Sequence, residues 1–298
     1  MSTILKINKL TKRFGKLTAV DQLDLTVEQG QVYGILGPNG SGKTTTLGMI
    51  LEVVASTSGQ FEWFEGMNNV QARQKIGAIL ETPCFYSYLT AVENLRIVAH
   101  IKKTDDSKID EILKQVNLFE RRNDKFKTYS LGMKQRLSLA AALLSDPPVL
   151  MLDEPTNGLD PEGIAEIRQL IKDIAEKGKT IIMASHLLDE VQKVCTHFCI
   201  LRKGVKLHEG SVGDILGETN VVDIVADDLN ALLELMINFE GAEKAVRENG
   251  TIKVFLKDGN SSESINKYCF DNGFLLKKLV PQSKSLEQEF LKILKEND

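Results

Sequence analysis

The sequence predicts an α/β protein built on a mostly parallel sheet. Three short apolar runs, at residues 32–36, 149–152 and 180–184, have the length and composition of buried parallel strands. Helical apolar patterns follow the first two runs, and a glycine-rich segment separates the first run from its helix. Strands and helices that alternate in this way form a parallel sheet whose ligands bind at the carboxyl ends of the strands.

Two further segments surround these runs in the first part of the chain. Apolar and polar residues alternate through residues 4–10 and 20–27, which is typical of half-buried strands. Residues 85–145 are comparatively polar, and their apolar side chains recur at helical spacing. We therefore expect strands at the start of the chain and a helical segment at about 85–145.

Residues 219–298 follow a different pattern. Their predicted elements are a strand at about 220–226, a helix at about 228–237, two strands joined at Asn249-Gly250, a helix at about 261–271, a strand at about 274–280 and a last helix from Ser285. This β-α-β-β-α-β order with one added helix indicates a small α+β domain. We predict two domains, at residues 1–218 and 219–298.

The composition excludes several classes of protein. The chain has 298 residues, of which 42% are hydrophobic and 26% charged, so a packed globular protein is expected. Its apolar runs are all shorter than the roughly 18 residues that a spanning helix needs, and its N-terminus lacks the features of a secretory signal. We expect a cytoplasmic chain with no membrane span of its own.

The distribution of charge argues against binding of nucleic acid. The net charge is −4, and residues 219–298 hold 14 acidic and 10 basic side chains, whereas residues 1–218 hold 27 of each. Neither part has the basic excess of a nucleic-acid-binding surface.

A phosphate-binding motif lies between the first parallel strand and its helix. Residues 37–44 match G-x-x-x-x-G-K-[ST] in the strand-loop-helix context that this motif requires. Its backbone N–H groups surround phosphates, Lys43 contacts the β- and γ-phosphates, and the Thr44 hydroxyl binds Mg²⁺. The predicted ATP-binding residues here are Gly37, Pro38, Asn39, Gly40, Ser41, Gly42, Lys43, Thr44 and Thr45.

Polar residues at the ends of the next two strands supply the rest of the predicted chemistry. Asp153 and Glu154 follow the run 149–152, and we assign Asp153 to the metal and Glu154 to the attacking water. His186 follows the run 180–184, from where it can reach the γ-phosphate and the water. Lys43, Glu154 and His186 are therefore predicted to be catalytic.

Three further motifs carry a resemblance to a known family. Residues 129–136, Tyr-Ser-Leu-Gly-Met-Lys-Gln-Arg, precede Asp153 and resemble the signature motif of ABC ATPases, the nucleotide-binding subunits of ABC transporters. Residues 157–160, Asn-Gly-Leu-Asp, resemble the D-loop of that family, and Phe14 resembles its adenine-stacking aromatic residue. The resemblance covers about residues 4–218.

The resemblance implies both a fold and an assembly. The implied fold is the ABC cassette of P-loop NTPases, with a RecA-like parallel sheet core, an N-terminal antiparallel β subdomain and a helical subdomain. The implied assembly is a head-to-tail pair, either a homodimer or two homologous cassettes, in which Ser130 and Gly132 of one subunit cap the ATP bound at Lys43 of the other. Asp160 would join this nucleotide site through the D-loop. A separate integral membrane permease is the implied second partner.

Two departures from the commonest family pattern point to a subfamily. The signature keeps the serine and the second glycine but reads Ser-Leu-Gly-Met, which resembles exporters of the ABC-2 type. Glu81 stands where the family usually has the Gln of the Q-loop, and we assign it to Mg²⁺ and to the catalytic water. A Glu at this position resembles the bacitracin and lantibiotic resistance or immunity transporters.

The resemblance also implies a function, with alternatives left open. We expect an ATP-hydrolysing subunit that drives export of a peptide antibiotic or a lipid-linked compound. One alternative is an ABC-2 exporter of an unrelated substrate such as a polysaccharide, an ion or a drug, and another is a soluble ABC ATPase that acts on DNA or ribosomes. Residues 81–90, which include an apolar and aromatic run at 84–89, are the expected docking surface for the permease.

Overall fold

The computed structural model describes residues 2–67, 69–80, 84–215, 218–283 and 286–296. The strands are β1 (Thr3–Phe14), β2 (Leu17–Glu28), β3 (Val32–Leu36), β4 (Ser58–Trp63), β5 (Ile76–Ile79), β6 (Val149–Asp153), β7 (Thr180–Ser185), β8 (His197–Arg202), β9 (Val205–Ser211), β10 (Glu218–Val225), β11 (Ala242–Glu248), β12 (Thr251–Leu256) and β13 (Lys278–Ser283). The helices are α1 (Lys43–Ile50), α2 (Asn69–Gln74), α3 (Ala91–Lys102), α4 (Ile109–Gln115), α5 (Leu131–Leu143), α6 (Pro161–Glu176), α7 (Leu188–Val194), α8 (Val212–Ile215), α9 (Leu229–Ile237), α10 (Ser262–Asp271) and α11 (Leu286–Glu296).

The chain divides into two compact units. One comprises Met1–Val212 with Ile293–Asp298, and the other comprises Gly213–Lys292. Among the described residues, no helix is both long enough and apolar enough to cross a membrane.

A six-stranded sheet forms the centre of the first unit. Its strand order is β5-β6-β7-β3-β8-β9, and all neighbouring pairs are parallel except β8 and β9. The register pairs Leu36 of β3 with Ser185 of β7, and Asp153 of β6 with Ala184 of β7. The residues that follow these three strands therefore meet at one edge of the sheet, as the order of apolar runs predicts.

A smaller antiparallel sheet occupies the start of the first unit. Strands β2, β1 and β4 form it in that order, with bulges in β1 where Lys9 takes a left-handed conformation. Trp63 at the end of β4 is fully buried, and its indole N–H donates to the carbonyl of Ile50 at the end of α1. This bond ties the small sheet to the helix that follows the phosphate-binding loop.

Helices α3, α4 and α5 occupy most of the predicted helical segment. Thr90 and Glu93 form a capping box at the start of α3, so two N–H groups at that end are satisfied. Asn94 of α3 binds the backbone of Tyr86 through both its oxygen and its nitrogen, at 2.9 and 3.2 Å. The backbone at Tyr86 is thereby fixed to the helical segment.

The second unit has a four-stranded antiparallel sheet with the order β11-β12-β10-β13. Asn249 and Gly250 both have positive φ in the β11–β12 turn, as the Asn-Gly pair predicts. The apolar core combines the inner residues of β10 and β12 with α9 and α10. One predicted boundary is wrong, because β13 begins at Lys278 and not near residue 274. Phe274 and Leu276 pack against this core ahead of the strand, and this packing accounts for the apolar residues that precede it.

Candidate nucleotide-binding site

The loop between β3 and α1 requires glycine at two positions. Gly42 caps α1 in a left-handed conformation with a φ of 107°, and a Cβ there would lie 2.5 Å from the carbonyl oxygen of Ala19. A Cβ at Gly37 would lie 2.3 Å from the carbonyl oxygen of Leu201. The loop therefore passes close to neighbouring backbone and presents the first N–H groups of α1 as an anion site.

Lys43, the first residue of α1, is buried beneath this loop. Its Nζ donates to the carbonyl oxygens of Gly37 at 2.8 Å and Pro38 at 3.3 Å. The same Nζ lies 3.2 Å from Oε1 of Glu154. The lysine thus connects the phosphate-binding loop with the end of β6.

Glu154 is held at the point where three strand ends meet. It has a φ of 47°, its N–H donates to the carbonyl of Ala184, and its Oε2 lies 2.8 Å from Nδ1 of His186. The backbone N–H of His186 also donates to Oε2, at 3.4 Å. The structure therefore brings Lys43, Glu154 and His186 into direct contact.

Asp153 and Thr44 provide the oxygen atoms that suit a magnesium ion. Asp153 is the buried last residue of β6, and Thr44 is exposed on the first turn of α1. The described residues contain no group of three or more His, Cys, Asp or Glu side chains placed to hold a metal. Mg²⁺ usually takes only one or two protein ligands and completes its shell with water and substrate phosphates, so these two residue types suit it.

A cleft of about 540 Å³ opens beside this cluster. Its walls are Phe14, Leu17, Thr18, Ala19, Asn39, Gly40, Gly42, Lys43, Thr44, Thr45, Glu154 and Lys203. The structure thus groups most of the predicted phosphate-binding residues with Phe14 and Glu154. Four lining residues were not predicted: Leu17, Thr18, Ala19 and Lys203. The sequence does contain a signal for Lys203, which closely follows the apolar run 198–201. This run forms another parallel strand, β8, that ends at the same edge of the sheet.

Phe14 stands at the rim of this cleft rather than in the core. Its side chain is 51% exposed, and the Lys12 ammonium lies 4.7 Å from the centre of its ring. An exposed ring at the mouth of a polar cleft is available for stacking against a planar ligand.

Ser130, Gly132 and Asp160 line a separate cleft of about 380 Å³. Ser130 caps α5 and accepts a bond from the N–H of Met133, and Asp160 caps α6 and accepts a bond from the N–H of Gly163. A Cβ at Gly132 would meet only Leu159, at 4.0 Å. The structure brings the signature and D-loop residues together, but none of them lines the cleft of Lys43. Glu81 lies outside the described residues.

An ion pair joins the helices that follow the D-loop and His186. Arg168 of α6 donates to Oε1 of Glu190 of α7 at 3.0 Å, and Glu190 is buried. Burial raises the pKa of the Glu190 carboxyl, and the attraction of Arg168 opposes this shift. Oε2 of Glu190 has no hydrogen-bond partner among the described residues.

Comparison with known proteins identifies the family. The family model for the ABC transporter matches residues 20–157. The bacitracin transport ATP-binding protein BcrA of Bacillus licheniformis is 41% identical over 305 residues, which cover 99% of this chain and 98% of that protein. The lantibiotic transport ATP-binding protein SrtF of Streptococcus pyogenes is 39% identical, over 67% of this chain and 88% of its own.

A solved structure gives the same result for the fold. The dimeric structure of an ATP-binding cassette in a post-hydrolysis state, bound to ADP and Pi, is 26% identical with a TM-score of 0.63. The match covers 70% of this chain and 99% of that one. The predicted cassette fold is thereby confirmed. The chain belongs to the ATP-binding subunits of ABC transporters, which are ATPases.

Proposed function

We propose that the chain hydrolyses ATP in the cleft beside Lys43 and thereby drives a separate membrane permease. The observation that carries this proposal is the contact of one carboxylate, Glu154, with both Lys43 and His186. Such a carboxylate lies next to the expected γ-phosphate and is placed to accept a proton from an attacking water.

The neighbouring residues take the other roles. Backbone N–H groups of residues 39–45 bind the phosphates, and Phe14 stacks on the adenine. Thr44 and Asp153 hold Mg²⁺, which neutralises phosphate charge when it is bound. His186 orients the Glu154 carboxylate through Nδ1. Glu81 remains a predicted contact to Mg²⁺ and the water.

We propose that a second cassette completes each site. Ser130 and Gly132 lie at the start of α5, whose N–H groups and dipole suit a phosphate, and they are in a different cleft from Lys43. A head-to-tail dimer would place this cleft of one subunit over the ATP of the other, with Asp160 beside it. The second cassette is another copy of this chain or a homologous chain.

The docking surface for the permease is proposed at residues 81–90, of which the structure describes residues 84–90. Tyr86 and Tyr88 are 52% and 63% exposed, and their ring centres lie 5.9 Å apart. Phe85 anchors the segment by packing on Phe126, with ring centres 5.2 Å apart. An exposed aromatic pair on a fixed backbone suits a protein interface. Docking there would hold the subunit at the inner face of the cell membrane.

The relatives support a substrate class. The names of two of them record bacitracin transport and lantibiotic transport. We propose that this chain powers export of a peptide antibiotic or a lipid-linked compound.

Affinity purification from native membranes tests the proposal. Tagged chain carrying Glu154→Gln is trapped with ATP, extracted in mild detergent, and its partners are identified by mass spectrometry. The matched control carries Lys43→Ala as well, so that it cannot be trapped by ATP. ATP-dependent recovery of a polytopic membrane protein supports the transporter function, whereas recovery of only ribosomes or DNA-bound proteins contradicts it.

A susceptibility test addresses the substrate. A sensitive strain that produces the chain with its permease should tolerate more bacitracin or lantibiotic than the same strain with Glu154→Gln. Equal susceptibility of the two strains to both compounds would contradict the proposed substrate class, but it would not contradict the proposed ATPase activity.

A further inference from the structure

Lys203 is a cation in the nucleotide cleft for which no role has been assigned. It lies in the turn between β8 and β9, is exposed, and forms part of the cleft wall. Its side chain makes no ion pair with any residue in the part of the chain that the structure describes. An unpaired ammonium in a cleft built for phosphates is available to bind an anion.

The backbone of this turn is fixed to the phosphate-binding loop. The N–H of Gly204 donates to the carbonyl of Ser41 at 3.0 Å, and the N–H of Asp21 donates to the carbonyl of Gly204 at 2.8 Å. A Cβ at Gly204 would lie 2.8 Å from the carbonyl oxygen of Ala19. Lys203 is therefore carried on a turn that packs between the loop and β2.

The turn that carries Lys203 lies between the hydrolysis end and the base end of the expected nucleotide, because it is bonded both to Ser41 of the phosphate-binding loop and to β2. Lys43 Nζ contacts Glu154, which in turn contacts His186, so this lysine marks the hydrolysis end. The turn that carries Lys203 is bonded to β2 at Asp21 and packs on Ala19, which lines the same cleft wall as Phe14. That wall is the expected base and ribose end.

We propose that Lys203 binds the nucleotide through an ion pair with its α-phosphate. The proposal rests on the proposed ATP site, and it adds a phosphate contact between the base end and the phosphates that Lys43 is expected to bind. Because the lysine is exposed, the contact acts in a largely aqueous environment. An ion pair at about 4 Å in water corresponds to about fivefold in affinity.

Binding measurements with nucleotides of decreasing length test this assignment. Wild type, Lys203→Met, Lys203→Arg and the control Lys177→Met are titrated with ATP, ADP, AMP and adenosine, by competition against a fluorescent ATP analogue. Lys177 is an exposed lysine at the end of α6, outside the lining of the cleft. We expect Lys203→Met to weaken ATP, ADP and AMP by a similar factor of about five, with adenosine unchanged. Lys203→Arg should keep the affinity, and high salt should reduce the difference.

The other outcomes distinguish a failure of the proposed ATP site from a failure of the proposed Lys203 contact. If wild type binds none of the nucleotides, the proposed ATP site is wrong. If wild type binds ATP and Lys203→Met binds it equally well, only the role of Lys203 is wrong. A loss that includes adenosine would indicate a structural effect of the turn, and a loss confined to ATP would place the contact at the γ-phosphate; either result overturns the α-phosphate assignment.

Discussion

Oε2 of Glu154 lies 2.8 Å from Nδ1 of His186, while Oε1 of the same carboxylate lies 3.2 Å from Nζ of Lys43. Both oxygens of the proposed base are therefore engaged by groups from two other strand ends. Because β3, β6 and β7 are neighbours in the sheet, residues far apart in sequence meet here without any long loop. The arrangement fixes the direction of the carboxylate before a water is positioned against it.

Replacement of Glu154 by Gln should abolish most of the hydrolysis and leave ATP binding intact. Gln keeps the length and one acceptor oxygen but cannot accept a proton from water, so we expect kcat to fall roughly 100- to 10,000-fold. Steady-state ATPase assays and a direct ATP-binding titration measure the two effects. Glu176→Gln, an exposed change near the end of α6, is the matched control. An unchanged rate in Glu154→Gln would remove Glu154 from catalysis.

Substitution of Gly132 by Ala should weaken ATP-dependent dimerisation without changing the stability of the monomer. A Cβ at Gly132 meets only Leu159, at 4.0 Å, whereas a Cβ at Gly42 would meet the Ala19 carbonyl at 2.5 Å. We therefore expect Gly132→Ala to keep its melting temperature and ATP binding while it loses ATP-dependent dimerisation and hydrolysis. Gly42→Ala should lose ATP binding itself. Calorimetry, nucleotide titration and light scattering distinguish the two variants.

A mixture of two inactive variants extends this test. Lys43→Ala keeps an intact signature, and Gly132→Ala keeps an intact phosphate-binding loop. A mixed head-to-tail dimer has one complete site, so the mixture should recover activity that neither variant shows alone. No recovery, with dimers formed, would argue against shared sites in a pair of identical chains.

The three buried strands and the residues that follow them could be predicted from the sequence, because each apolar run is followed closely by the residues of the site. Gly37, Glu154 and His186 belong to this class. The wall formed by Ala19 and Lys203 could be predicted only in part: the apolar run 198–201 indicates a strand that ends at this edge of the sheet, but not the contact of its turn with Ala19 and the loop. It depends on how a bulged β2 and the β8–β9 turn approach the loop, and neither approach leaves a periodic pattern in the sequence.

Introduction of a charge at Tyr88 should uncouple transport from hydrolysis. The ring is 63% exposed and lies outside the nucleotide cleft, so Tyr88→Glu should keep the basal ATPase rate. The added charge should weaken binding of the subunit to the permease. Val53→Glu, at a side chain that is 70% exposed, is the control. Co-purification with the permease and export-dependent resistance measure coupling. Resistance equal to wild type would contradict docking at Tyr88.

The ion pair of half-buried Arg168 and buried Glu190 should respond unequally to removal of either partner. Arg168→Met leaves a buried carboxylate without its cation and should lower the free energy of unfolding by about 2 kcal/mol at neutral pH. Glu190→Gln keeps an acceptor for the guanidinium and removes a charge that burial disfavours, so it should cost less. Urea unfolding of the two variants at one pH measures the difference.

The pH dependence of the same pair has a definite sign. The pKa of Glu190 is raised by burial above its ordinary value of 4.5, so the folded state binds this proton more tightly than the unfolded state. The stabilisation that this proton gives is complete below pH 4.5 and is lost as the pH rises through the folded pKa. Wild type should therefore lose stability relative to Glu190→Gln over the pH range from 4.5 up to the folded pKa. Parallel urea curves across that range would show that Arg168 fully offsets the cost of burying the carboxylate.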